Sequence, residues 1–165
     1  MIEKFDVHIS DEEIDSLHSK IHLTRWPDEI NDEKWSHGTS MSFLKNLSDH
    51  WLNEFNWRDH EKQINEAGSY KFKTQSGLKL HFLHSKSNNK NAIPLMMTHG
   101  WPGSVQEFLK IIPELHKESN VPIDIICPSL PGFGFSDKPT ETGMDSQEIA
   151  KLQHELMIGL GYNKY

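Results

Sequence analysis

Apolar residues recur at helical spacing over the first third of the chain and at strand spacing after it. Ile14, Leu17 and Ile21 follow Ser10-Asp11-Glu12-Glu13, a capping box whose Ser and Glu side chains satisfy backbone donors at a helix start. The pattern predicts a helix there, ended by Arg25-Trp26-Pro27-Asp28, since proline disfavours helix at the residue before it. Phe43, Leu44, Leu47, Trp51, Leu52 and Phe55 predict a second helix from about Met41 to Phe55. A third is expected around Arg58 to Ala67, stopping at Gly68.

Then the period changes. Tyr70, Phe72 and Thr74 alternate with Lys71, Lys73 and Gln75, and Leu78, Leu80, Phe82 and His84 with Lys79, His81 and Leu83. With Ser76-Gly77 between them, these runs predict a β-hairpin. Ile93 to Thr98 is apolar on both faces, as in a buried parallel strand. A second capping box, Ser104 to Glu107, predicts a helix that turns Val105, Phe108, Leu109, Ile112 and Leu115 inward. A strand at Ile123 to Cys127 and a Pro/Gly loop from Pro128 to Gly143 come next. Asp145 to Glu148 opens a last helix with Ile149, Leu152, Leu156 and Leu160 on one face, and Gly161 suits its stop. Strand, helix, strand, helix is the order of a parallel α/β sheet. The expected division is a helical segment over 1–68 and an α/β segment over 69–165.

Two loops carry candidate chemistry. His99-Gly100-Trp101-Pro102-Gly103-Ser104 follows a strand and precedes a capped helix. Its backbone N–H at Trp101 would face developing negative charge near a helix N-terminus; the plain alternative is a tight turn without chemistry. The Trp101-Pro102 bond is expected to be cis, because cis bonds occur before proline in tight turns. Pro131-Gly132-Phe133-Gly134-Phe135-Ser136 fails the dinucleotide fingerprint, with Asp137 where the third glycine belongs. It reads as a rigid aromatic loop beside a pocket.

Other candidates weaken on inspection. His18 and His22 stand four apart without the glutamate or third ligand of a zinc site, so they read as surface histidines. His81 and His84 fall on opposite faces of a strand and cannot pair. Trp51, Phe55 and Trp57 could offer a partner a patch, but core packing is the favoured reading.

Composition narrows the partners. Of 165 residues, 35% are hydrophobic, yet five Trp, eight Phe and three Tyr argue for a folded chain. The net charge is −7 with no basic stripe, which speaks against nucleic acid. Cys127 is the one cysteine, so there is no internal disulfide and a reducing, cytoplasmic location is expected. The charged start, with Glu3, Lys4, Asp6, Asp11, Glu12, Glu13 and Asp15, reads as neither signal peptide nor membrane anchor.

The runs HGWPGS and PSLPGFGFSDKP resemble the two oxyanion-side loops of epoxide hydrolases. Arg25-Trp26-Pro27-Asp28-Glu29 and Asn56-Trp57-Arg58 resemble the extension that precedes the hydrolase core in the microsomal-type branch of that family. The resemblance covers about Phe5 to Tyr165. It implies an α/β-hydrolase fold, here a truncated one: a β-hairpin and two parallel strands with helices behind a helical extension. It also implies a two-step reaction without a cofactor. A carboxylate opens the epoxide to an ester while lid tyrosines protonate the oxygen, and a histidine paired with an acid then activates water to release the diol. Only Trp101 maps onto this chemistry, as a backbone oxyanion donor; His99, Gly100, Pro102 and Gly103 match the motif as structural residues.

The nucleophile belongs on a small-x-Asp-x-small elbow after the next strand. Gly143-Met144-Asp145-Ser146-Gln147 fails that pattern, and Asp145 reads as a helix cap. The expectation is therefore the N-terminal part of an epoxide hydrolase, supplying half of the oxyanion hole and inactive alone. The alternatives are a non-catalytic complementation or interaction fragment, or another α/β-hydrolase such as a dehalogenase-like enzyme. Expected partners are a small-molecule epoxide in the complete enzyme, and a C-terminal complement or a second copy along an unprotected edge of the Ile93 strand; nucleic acid and membrane are not expected.

Overall fold

In this computed structural model, which describes residues 1–30 and 35–165, the chain divides into two units, His8–His60 and Met1–Val7 with Glu61–Tyr165.

The first unit is helical. Ser10 accepts from the Glu13 N–H at 3.2 Å and Glu13 accepts from the Ser10 N–H at 3.3 Å, so the capping box forms and starts α1, Asp11–His22. Ser40 caps α2, Met41–Asn53. Arg58 donates to the Ile9 carbonyl at 2.7 Å and pairs with Asp11, fixing the chain on both sides of α1's start. Neither α1 nor α2 buries a residue. Phe55 and Trp57 are half-buried, while Phe43, Leu47 and Trp51 are 46%, 47% and 43% exposed. Their i, i+4, i+8 spacing makes a stripe, but spacing alone does not say what covers it. Helix α3, Trp57–Glu66, leads into the second unit.

The second unit is a five-stranded sheet in the order β1-β2-β3-β5-β4. Strands β2, Ser69–Lys73, and β3, Lys79–Ser85, form the expected hairpin. Strand β1, Ile2–Lys4, was not expected: three residues with two charges show no alternation, yet Ile2 lies opposite Phe72 and Lys79 Nζ meets Glu3 at 2.9 Å. β3 pairs antiparallel with β5, Ile123–Pro128, and β5 pairs parallel with β4, Ile93–Met96.

Helices cover both faces. Val7, Ile64, Leu83, Val105, Ile112, Ile125 and Cys127 form one core, and Phe72, Phe82, Ile126, Leu156 and Met157 the other. The second lies under α5, Ser146–Gly159, which Asp145 caps by accepting from the N–H groups of Gln147 and Glu148. β3 is thus buried on both faces, which places His81 and His84 on opposite sides of the sheet as expected.

The helix expected after Ser104 is interrupted. The capping box forms, but it opens a single 3₁₀ turn, Val105–Phe108, before α4, Ile111–Glu118. Pro113 accounts for the break. It lacks an N–H and its ring crowds the carbonyl four residues back, so it is tolerated in α4's first turn but not within one continuous helix. No helix among the described residues is long and apolar enough to cross a membrane.

Candidate functional site

The parallel ladder between β4 and β5 ends where Met97 N–H donates to the Ile126 carbonyl at 2.9 Å. Two residues later the chain folds into a tight turn. Gly103 N–H donates to the Gly100 carbonyl at 2.7 Å, and the Trp101–Pro102 bond is cis, as expected, with proline at the third position of the turn. A Cβ on Gly103 would lie 1.7 Å from Glu107 Oε1, the oxygen that accepts from the Ser104 N–H at 3.1 Å. Glycine at 103 therefore keeps the capping box behind the turn intact.

Trp101 leads this turn with its side chain 83% exposed. Its backbone N–H makes no hydrogen bond among the described residues. An N–H held in a closed turn without a competing acceptor is available to an acceptor from outside. The helix-dipole support expected from the sequence is smaller than supposed, because a four-residue 3₁₀ turn aligns few peptide dipoles. Pro102 and Gly100 are exposed and Gly103 is half-buried.

His99 is buried, 3% exposed, and joins two loops. Its Nδ1 lies 3.0 Å from the Gly100 carbonyl, and its Nε2 accepts from the Leu130 N–H at 3.1 Å. A carbonyl can only accept and an amide can only donate, so the ring hydrogen sits on Nδ1. Phe133 packs edge-on against the ring, 5.7 Å between centroids. These contacts tie the turn after β4 to the loop behind β5.

The loop behind β5 is held by β3. Ser129 N–H donates to the His81 carbonyl at 2.8 Å, His81 N–H to Ser136 Oγ at 2.9 Å, and Ser136 Oγ to the Ser129 carbonyl at 2.9 Å. The fully buried His81 ring lies between Ser129 Oγ, 2.8 Å from Nδ1, and Ser69 Oγ, 3.1 Å from Nε2. Burial, with a smaller contribution from Lys71, pushes its pKa down to about 4. Gly134, at φ +51, stands where a Cβ would come within 3.0 Å of Ser129 Oγ. Sequence analysis named His81 and Ser136 without linking them and did not single out Ser129. The available signal was parity, since His81 shares its strand face with Leu83.

The remaining candidates fall away. Asp145 caps α5, as read. His18 is half-buried and His22 exposed, and no group of three His, Cys, Asp or Glu among the described residues could hold a metal ion. Cys127 is buried, and burial pushes its thiol up to about 12, too high for a reactive thiolate.

Comparison with known proteins follows the same lines. Residues 2–108 match the family described as epoxide hydrolase N terminus, and residues 93–164 match the α/β hydrolase fold. Epoxide hydrolase 1 of Sus scrofa is 36% identical over 174 residues, a stretch covering 99% of this chain and 38% of that protein. The crystal structure of juvenile hormone epoxide hydrolase from the silkworm Bombyx mori superposes with a TM-score of 0.88 at 32% identity, covering 100% of this chain and 45% of the silkworm chain. Aspergillus niger epoxide hydrolase superposes with a TM-score of 0.85 at 30% identity, covering 98% of this chain and 43% of the fungal one.

Proposed function

Because this chain belongs to the epoxide hydrolase family of the α/β-hydrolase fold, we propose that residues 1–165 form the oxyanion side of an epoxide hydrolase whose nucleophile they do not carry. In the reaction proposed, a carboxylate attacks an epoxide carbon, the carbon–oxygen bond breaks, and the oxygen takes a proton. Water then adds to the ester carbonyl, and the diol leaves as the carboxylate returns. The task of this chain lies in the second step. The Trp101 N–H meets the oxygen of the tetrahedral intermediate, and His99, Gly100 and Gly103 hold the turn that aims it. The observation that carries the reading is the Trp101 N–H, unbonded among the described residues and set in a turn buttressed on both sides.

The 165-residue polypeptide alone is expected to form no diol from a styrene-oxide-type substrate. Turnover that survives purification and disappears in Trp101→Pro, which removes the N–H, would contradict the division of labour.

A second reading concerns the partner. β4 is an edge of the sheet among the described residues, and Ile93 is 55% exposed. Beside it, Thr98 Oγ1 donates to Gln153 Oε1 at 3.3 Å, while the buried Gln153 Nε2 has no acceptor. An edge that carries no charge and is blunted by Pro94 alone supports strand addition, by a complementing chain or by a second copy.

A further inference from the structure

A series of hydrogen bonds runs from β2 to the turn that carries Trp101. Ser69 Oγ lies 3.1 Å from His81 Nε2, and His81 Nδ1 lies 2.8 Å from Ser129 Oγ. The next residue, Leu130, donates its N–H to His99 Nε2 at 3.1 Å, and His99 Nδ1 lies 3.0 Å from the Gly100 carbonyl. That same carbonyl accepts the Gly103 N–H that closes the turn. Two buried histidines in series therefore connect the hairpin to the candidate donor.

We propose that His81 is a positioning residue for the Trp101 turn: clamped between Ser69 and Ser129, it fixes the loop from Ser129 to Asp137, and that loop in turn orients His99 and Gly100. The proposal takes its functional meaning from the oxyanion reading of Trp101, although its test does not use turnover.

Three features favour this over simple core filling. Serine hydroxyls both donate and accept, so a neutral imidazole keeps both nitrogens satisfied in either tautomer. The ring is fixed in plane, edge-on to Phe5 at 5.8 Å and to Phe135 at 5.3 Å. Phe135 belongs to the loop being positioned, so the loop is gripped by both the polar and the aromatic sides of one residue. The competing account is that backbone bonds alone hold the loop, through Ser129 N–H to the His81 carbonyl and Asp137 N–H to the Lys79 carbonyl.

Amide hydrogen exchange on the 165-residue chain separates the two. Ser129→Ala removes one hydroxyl and leaves every backbone bond. It is expected to lower protection at Leu130 about tenfold or more, as losing a buried polar contact does, and at Gly103 in the same direction. The His84 N–H, bonded to the Gly68 carbonyl in the hairpin, is expected to keep its protection. Unchanged protection at Leu130, or an equal loss across the hairpin, overturns the proposal. If Ser129→Ala does not fold, Ser69→Ala decides: it removes only the far partner of His81, and a smaller loss at Leu130 is expected, with no change there counting against the proposal. Failure of the oxyanion reading is seen instead in diol formation, so the two can fail separately.

Discussion

The hydroxyl of Tyr162 donates to Asp124 Oδ2 at 2.7 Å and lies 3.0 Å from His84 Nε2. The donated proton leaves the phenol oxygen free to accept, so His84 carries its hydrogen on Nε2. Asp124 also accepts the Ser87 N–H at 2.8 Å. Burial and the Asp124 carboxylate push Tyr162 above the ordinary phenol range, so it remains a donor. Through this bond the segment after α5 is tied to β5. Tyr162→Phe is expected to cost roughly 1 kcal/mol, because it removes a charge-assisted hydrogen bond from a part-buried polar set. Urea denaturation measures this, and an unchanged midpoint would show that the bond contributes nothing net.

Acid should weaken the fold before the carboxylates titrate. Burial pushes both His81 and His84 down to about 4, with Lys71 and Lys86 adding to the shift and Asp124 opposing it at His84. In the unfolded chain the same imidazoles titrate near 6.5. Between those values the unfolded state binds protons that the folded state refuses. Stability contributed by neutral burial is therefore full above about pH 6.5 and is lost as pH falls towards 4. The slope is at most about 1.4 kcal/mol per pH unit for each histidine. Equal urea midpoints at pH 7 and pH 5 would contradict this.

Most of the framework is legible in the chain because its signals are local. The capping boxes at Ser10 and Ser104, the alternation around Ser76-Gly77 and the cap at Asp145 each depend on a few neighbouring residues. What escaped depends on distant partners. β1 is a strand because Ile2 meets Phe72, seventy residues on. His81 reads as a polar position on a half-buried strand until the Ser129 loop folds over it. The Trp101 turn was legible through its motif, but the length of the helix behind it was not, since Pro113 acts nine residues after the cap at Ser104.

The free edge of β4 gives a concentration-dependent expectation. β4 carries no charge and is blunted only by Pro94 near its start, which leaves its apolar edge open to pairing with other chains. The purified 165-residue chain is expected to self-associate in light scattering as its concentration rises. Met96 packs against the core around Phe82 and Leu156, so a charge there would test folding rather than association. Ile93, 55% exposed, is the cleaner site, and Ile93→Lys is expected to reduce association. A stable monomer of 19.1 kDa at every concentration would remove this second reading.

The central claim is that the Trp101 N–H is the oxyanion donor of an epoxide hydrolase. It is tested most directly in a chimaera in which residues 1–165 replace the matching segment of a full-length relative, with the peptide bond entering Trp101 exchanged for an ester. That change deletes one N–H and leaves every side chain. With the amide in place, diol formation from styrene oxide is expected. With the ester, kcat is expected to fall about 100-fold, as for the loss of one oxyanion donor, with the covalent ester intermediate accumulating. An active amide chimaera whose kcat is unchanged by the ester would contradict the account.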